Sequence, residues 1–169
     1  MFPRRQRADP QPTDPIEVLL ASTGGPFRTE SIRLCRDLVR DGPVGVLIIA
    51  RIYGSSFGLP NPGLLPTVKE RRAAQDRVDG AITALRKMGV RADGQILITR
   101  HPAPGIARVA QARSAQRVVV EAPPQGNLRR FVEGNFEALI RRKLGALVEV
   151  TSAPNPVQPP VRPFSPDPN

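Results

Sequence analysis

Five short apolar segments recur along the chain, and the stretches between them are longer and mixed in polarity. The apolar segments span residues 16–22, 44–52, 95–99, 117–120 and 146–151. Short and nearly continuous apolar runs are typical of strands that are buried on both faces of a parallel sheet. The pattern therefore predicts five buried strands.

The stretches between these strands show helical periodicity. We predict helices over residues 29–40, 67–88 and 104–115, and a fourth helix that ends near Lys143. In the first, Cys35 lies on the apolar face, and Asp41-Gly42-Pro43 marks its end. A regular alternation of strand and helix with right-handed crossovers specifies an α/β fold, a doubly wound five-stranded parallel sheet with flanking helices. We expect Asp14 and Glu17 to lie outside its core.

Proline-rich segments flank this pattern at both ends. Residues 1–15 and 153–169 lack apolar periodicity, and such segments cannot offset the entropy of ordering by burying apolar surface. We predict a disordered N-terminal tail over 1–15, one domain over 16–152 and a disordered tail over 153–169. A chain of 169 residues has room for one domain of this size.

The charge balance is strongly basic, with 25 Lys and Arg against 15 Asp and Glu. Two interpretations stay open: a functional basic surface, or a compositional preference for arginine. If the charge is functional, the candidates for an anionic partner are Arg129, Arg130, Arg141, Arg142 and Lys143, which flank or end the fourth helix.

Composition also restricts the kinds of site. One cysteine and one histidine allow neither an intramolecular disulfide nor a metal site built from these residues. No apolar run approaches the roughly 18 residues of a membrane span, and no apolar signal stretch follows the first residues, so we expect a cytoplasmic protein. His101, Ser22 and Cys35 stand in no arrangement typical of a catalytic centre, so we expect no enzyme.

Four segments resemble the universal stress protein family. They are the first strand and turn VLLASTGG, the segment RHPAPGI at 100–106, SAQRVVV at 114–120 and GNFEALIRR at 134–142. Their order and spacing are similar to those of the family over residues 16–153. The resemblance implies the adenine nucleotide alpha hydrolase-like fold and a nucleotide pocket at the carboxyl ends of the strands.

The resemblance also implies that this pocket is altered. Family members that bind ATP carry the motif Gly-x-x-Gly, nine residues, then Gly-Ser or Gly-Thr, in which glycine lets the backbone approach phosphates. Here the first two glycine positions fall on Glu121 and Pro124, and Asn135 replaces the hydroxyl residue. The residues left for a relic pocket are Thr23 (in place of the family's aspartate), Ala50, Gly126, Gly134 and Asn135. We therefore expect no cofactor, with ATP or another adenine nucleotide as the alternative.

Taken together, the sequence predicts a non-catalytic regulatory or adaptor module. The resemblance implies a homodimer formed through the last strand, residues 146–151. Two alternatives stay open: a basic protein that docks on RNA, a ribosome or another large anionic assembly, and a nucleotide-binding or slowly ATP-hydrolysing stress protein.

Overall fold

A computed structural model describes residues 13–51, 65–121, 136–145 and 149–152. Within these residues, five strands alternate with four helices. The strands are β1 (Val18–Ser22), β2 (Val44–Arg51), β3 (Ala92–Thr99), β4 (Arg117–Val120) and β5 (Glu149–Ser152). The helices are α1 (Thr29–Leu38), α2 (Val68–Lys87), α3 (Pro102–Ala112) and α4 (Phe136–Leu144).

All five strands are parallel and lie in the order β3-β2-β1-β4-β5. The first strand is therefore central, and its Val18 is in register with Val44 of β2 on one side and with Arg117 of β4 on the other. This arrangement confirms the predicted doubly wound α/β fold.

The two faces of the sheet support separate apolar cores, because successive side chains of a strand point to opposite faces. Val18 and Leu20 pack with α1 and α2, in a core that includes Val78 and Leu85. On the other face, Leu19 packs with residues of α3 and α4. Each helical layer thus covers one face of the sheet.

Several predicted boundaries were wrong by two or three residues. Strand β1 begins at Val18 rather than at residue 16, and α1 and α3 end at Leu38 and Ala112 rather than at residues 40 and 115. Strand β3 begins at Ala92, three residues earlier than predicted, because Asp93 and Gly94 pair with β2 although they interrupt the apolar pattern. Helix α3 begins at Pro102, two residues earlier than predicted. Proline fits the first turn of a helix because the N–H that it lacks would have no partner within the helix there. By contrast, α2 begins after Thr67 as predicted, and Thr67 and Glu70 form a reciprocal capping box.

Glu17 is buried, which contradicts its predicted place outside the core, whereas Asp14 is exposed as expected. The Glu17 carboxylate accepts hydrogen bonds from the backbone N–H groups of Arg40, Asp41 and Gly42 at 2.7–3.2 Å. Burial alone raises the pKa of Glu17, but these three N–H groups and the charge of Arg117 outweigh it and lower the pKa below its usual value. The carboxylate therefore holds the turn after α1 against the start of β1.

A second buried carboxylate, Asp93, forms an ion pair with Arg113 at the amino end of the sheet. The guanidinium contacts both carboxylate oxygens, at 2.5 and 2.6 Å, and also donates to the backbone carbonyl of Asp14 at 2.7 Å. Gly45 is in register with Asp93 on the neighbouring strand. It leaves space for the Arg113 guanidinium, because a Cβ there would lie only 3.0 Å from Nη1 of Arg113. This pair joins the end of α3 to β3 across the sheet.

The predicted tails lie almost entirely outside the described residues, so the tails and the domain limits stay predictions. No helix in the described parts of the chain is both long and apolar enough to cross a membrane.

Candidate nucleotide crevice

The crevice of a doubly wound sheet lies where neighbouring strands send their connections to opposite faces. In this chain the neighbours are β1, which leads to α1, and β4, which precedes α4 on the other face. Ser22 ends β1, and Glu121 directly follows β4, where its N–H donates to the carbonyl of Ala21 at 2.8 Å. Glu121 therefore stands at this point of the sheet.

The Glu121 carboxylate is turned into the protein. Its side chain is only 4% exposed, and it forms an ion pair with the guanidinium of Arg28. Arg28 is the residue that precedes the first turn of α1, and its backbone N–H also points to the carboxylate at 3.5 Å. A negative charge at this position is further stabilised by the positive end of the α1 dipole. The carboxylate thus has its own cationic partner inside the crevice.

Cys35 lies on the same helix, within the electrostatic reach of Glu121. Burial and, second, the negative charge of Glu121 raise the pKa of the Cys35 thiol to about 12. A thiol with so high a pKa is not a nucleophile at neutral pH, since the thiolate is the reactive form. Cys35 therefore belongs to the apolar core, as its helical position predicted.

The turn after β1 contains Thr23, the residue predicted to stand in place of the family's aspartate. Two hydrogen bonds hold the turn: the Ser22 hydroxyl donates to the carbonyl of Gly25 at 2.8 Å, and Arg77 of α2 donates to the carbonyl of Gly24 at 2.6 Å. Gly24 has φ of 111°, a conformation that favours glycine. Thr23 itself is half-buried.

The predicted relic pocket is only partly within the described structure. Ala50 is half-buried and lies near the carboxyl end of β2, on the same edge of the sheet as Thr23. Gly126, Gly134 and Asn135 lie outside the described residues, as does Pro124. The structure therefore brings Thr23 and Ala50 to one edge, and the rest of the predicted set stays a prediction.

The basic residues predicted to meet an anionic partner also lie only partly within the described structure. Arg129 and Arg130 lie outside the described residues. Arg141 forms an ion pair with Glu137 at 2.5 Å and donates to the carbonyl of Val150 on β5 at 2.7 Å. Arg142 and Lys143 are exposed. Arg141 is thus engaged within the domain, in contrast to its two neighbours.

No group of three His, Cys, Asp or Glu side chains within the described residues is arranged to hold a metal ion. His101 is exposed just before α3, and its backbone N–H donates to the hydroxyl of Thr99 at 3.2 Å. The sequence reasoning missed Arg28 altogether. It is separated from Glu121 by 93 positions, and nothing in its local sequence distinguishes it from the other arginines.

Several solved structures have the same fold as this chain. The universal stress protein from Archaeoglobus fulgidus in complex with dAMP matches with a TM-score of 0.55 and 17% identity, over 80% of this chain and 96% of that one. A universal stress protein family member from Burkholderia pseudomallei matches with a TM-score of 0.54 and 14% identity, over 83% and 97%. A universal stress protein in complex with cAMP matches with a TM-score of 0.53 and 10% identity, over 82% and 99%.

No protein-family model and no curated protein sequence matches the chain. At these low identities the structural matches establish the fold alone. The chain has the fold of the universal stress proteins, and this confirms the fold that the resemblance implied.

Proposed function

We propose that the protein is a non-catalytic regulatory or adaptor module with the universal stress protein fold, in which an internal ion pair replaces nucleotide recognition. The observation that carries this proposal is the buried Glu121 carboxylate, paired with Arg28 at the point of the sheet where this fold binds ligands. Two of the structural matches contain the adenine nucleotides dAMP and cAMP. In this chain, Glu121 stands where the phosphate-binding motif of the resembling family has its first glycine.

The reason is electrostatic. The resemblance places the first phosphate-binding glycine at Glu121, so a bound phosphate would approach a carboxylate in a partly buried site. Two like unit charges about 4 Å apart repel by roughly 4 kcal/mol at an effective dielectric of about 20. The charge of Arg28 offsets part of this repulsion, but its Nε already donates to the Glu121 carboxylate. The pair therefore disfavours triphosphate binding.

Isothermal titration of the full-length protein with Mg-ATP tests this point. We expect a dissociation constant weaker than about 10 μM, which corresponds to about −7 kcal/mol. Glu121→Gln preserves the shape of the side chain and removes its charge, and we expect it to bind Mg-ATP more tightly than the wild type does. Tight binding by the wild type, or steady hydrolysis of ATP, would contradict the proposal.

We further propose a homodimer through the β5 edge. Among the described strands, β5 pairs only with β4, so no described strand covers its other side, where Arg141 donates to the Val150 carbonyl. The Glu149 N–H donates to Gln116 beside β4, and N–H directions alternate along a strand, so the Val150 N–H faces the open edge. An unpaired edge of this kind is a template for a second strand.

Light scattering at about 50 μM, a concentration suited to a micromolar interface, tests the dimer. We expect Val150→Pro to shift the protein to monomer, because proline removes the outward donor. Val150→Ala is the matched control, since it also shortens the buried side chain but keeps the N–H. A monomeric wild type, or equal loss of dimer in both variants, argues against this edge.

A further inference from the structure

The two helical layers differ in how their charges are balanced. Helices α1 and α2 carry eight basic and five acidic residues, whereas α3 and α4 carry four basic residues and one acidic residue. The excess of basic residues is three in both layers, but the cations of α3 and α4 have far fewer acidic neighbours. The acidic residue on α3 and α4 is Glu137, and it is already paired with Arg141. The α3–α4 layer therefore presents cations with little opposing charge from its own helices.

Three side chains make up this surface, which we call the α3–α4 basic face: Arg108, Arg142 and Lys143. All three are exposed, and within the described structure none of them forms an ion pair. None has an acidic neighbour three or four positions away on its helix, where side chains meet.

One contact joins the end of α3 to the end of α4. The side-chain amide of Gln111 on α3 donates to the backbone carbonyl of Lys143 on α4 at 3.1 Å. Arg108 lies three positions before Gln111 and so shares its side of α3. Gln111 therefore lies beside the end of α4, where Arg142 and Lys143 are, and Arg108 lies one turn before Gln111 on α3.

We propose that the α3–α4 basic face binds the phosphate backbone of double-helical nucleic acid. Guanidinium groups match phosphate geometry, and a set of unopposed cations is the usual footprint of such binding. This inference goes beyond the adaptor role proposed above, and it holds whether or not the crevice takes a nucleotide.

The other residues of the face favour this partner over two alternatives. Single-stranded nucleic acid is bound through aromatic side chains that stack on bases, and the exposed side chains described on α3 and α4 include none. Protein interfaces centre on large apolar or aromatic anchors, whereas the exposed apolar residues described on these helices are Pro104, Ala112 and Ala138. Exposed cations without aromatic or large apolar neighbours are suited to binding phosphates without contacting bases.

The test is fluorescence anisotropy of the full chain with labelled RNA and DNA duplexes of one sequence, at increasing KCl. Three neutralised phosphates give a slope of log affinity against log salt of about −2.7, so a fourfold rise in salt weakens binding about 40-fold. The test variant combines Arg108→Gln, Arg142→Gln and Lys143→Gln. The control variant removes two Arg and one Lys from exposed positions on the opposite layer, by Lys69→Gln, Arg71→Gln and Arg72→Gln.

We expect the test variant to lose at least about tenfold in affinity at low salt, with a shallower salt slope, and the control variant to lose far less. Both duplexes should bind similarly, because they share the phosphate backbone. Equal losses in the two variants, at unchanged melting temperatures, would overturn the proposal. So would binding of the wild type to vesicles of anionic lipid but to neither duplex.

Discussion

Replacing Asp93 by alanine should sharply reduce the stability of the domain. The Asp93 carboxylate lies 2.5 and 2.6 Å from the two terminal nitrogens of Arg113, and the two side chains are 6% and 3% exposed. Without Asp93, the guanidinium loses its two hydrogen bonds to the carboxylate, although it keeps its contact with the backbone of Asp14. An uncompensated charge would then stay buried between α3 and the sheet.

The expected cost follows from this burial. Removing one partner of a buried ion pair costs about 3–5 kcal/mol. A domain of this size has a free energy of unfolding of roughly 5–15 kcal/mol, so the loss is a large share of the total. The matched control is Asp37→Ala, which breaks an exposed pair with Arg36 whose side chains are 59% and 45% exposed. That change should cost less than about 1 kcal/mol.

Urea unfolding followed by far-UV circular dichroism measures both variants against the wild type. A third variant, Asp93→Leu combined with Arg113→Met, removes both charges and should recover much of the loss, because apolar replacements of buried pairs are often neutral. If Asp93→Ala and Asp37→Ala cost the same, the buried pair does not have the role assigned to it.

Three further predictions concern Glu17, two glycines and Cys35. The difference in stability between wild type and Glu17→Gln should shrink as pH falls below about 4.5. The pKa of Glu17 is lower in the folded protein than in the unfolded chain, so the charged carboxylate stabilises the fold above the unfolded pKa, and protonation removes this stabilisation. A difference in urea midpoints that does not change with pH would contradict this. Gly94→Ala should destabilise the domain by more than about 1 kcal/mol, since the new Cβ would overlap Val78. Gly80→Ala, which has open space around it, should instead stabilise the domain by about 0.5–1 kcal/mol. Melting temperatures that change in the same direction in both variants would refute the packing argument. Cys35 should resist alkylation at pH 8 until urea unfolds the protein, given its burial and a thiol pKa of about 12; rapid labelling of the native protein would show otherwise.

The sequence alone determined the class of fold and most of its elements. The buried strand β4 is an apolar run from Val118 to Val120, and helices such as α2 carry a buried stripe, so periodicity locates both. Periodicity did not locate the start of β3, because Asp93 and Gly94 interrupt the apolar run although both pair with β2. Both depend on residues distant in the chain: Asp93 is paired with Arg113, and Gly94 is needed because a Cβ there would overlap Val78.

Only the tertiary structure decided which polar residues are buried and what they bind. The sequence showed that Glu121 stands in a glycine position of the resembling motif, but its partner Arg28 is 93 positions away, and the fold joins them because β1 and β4 are neighbours. Glu17 was predicted outside the core for the same reason: the three N–H groups that hold its carboxylate come from the turn after α1. Apolar burial follows from local pattern, whereas a buried charge needs partners that only the topology brings together.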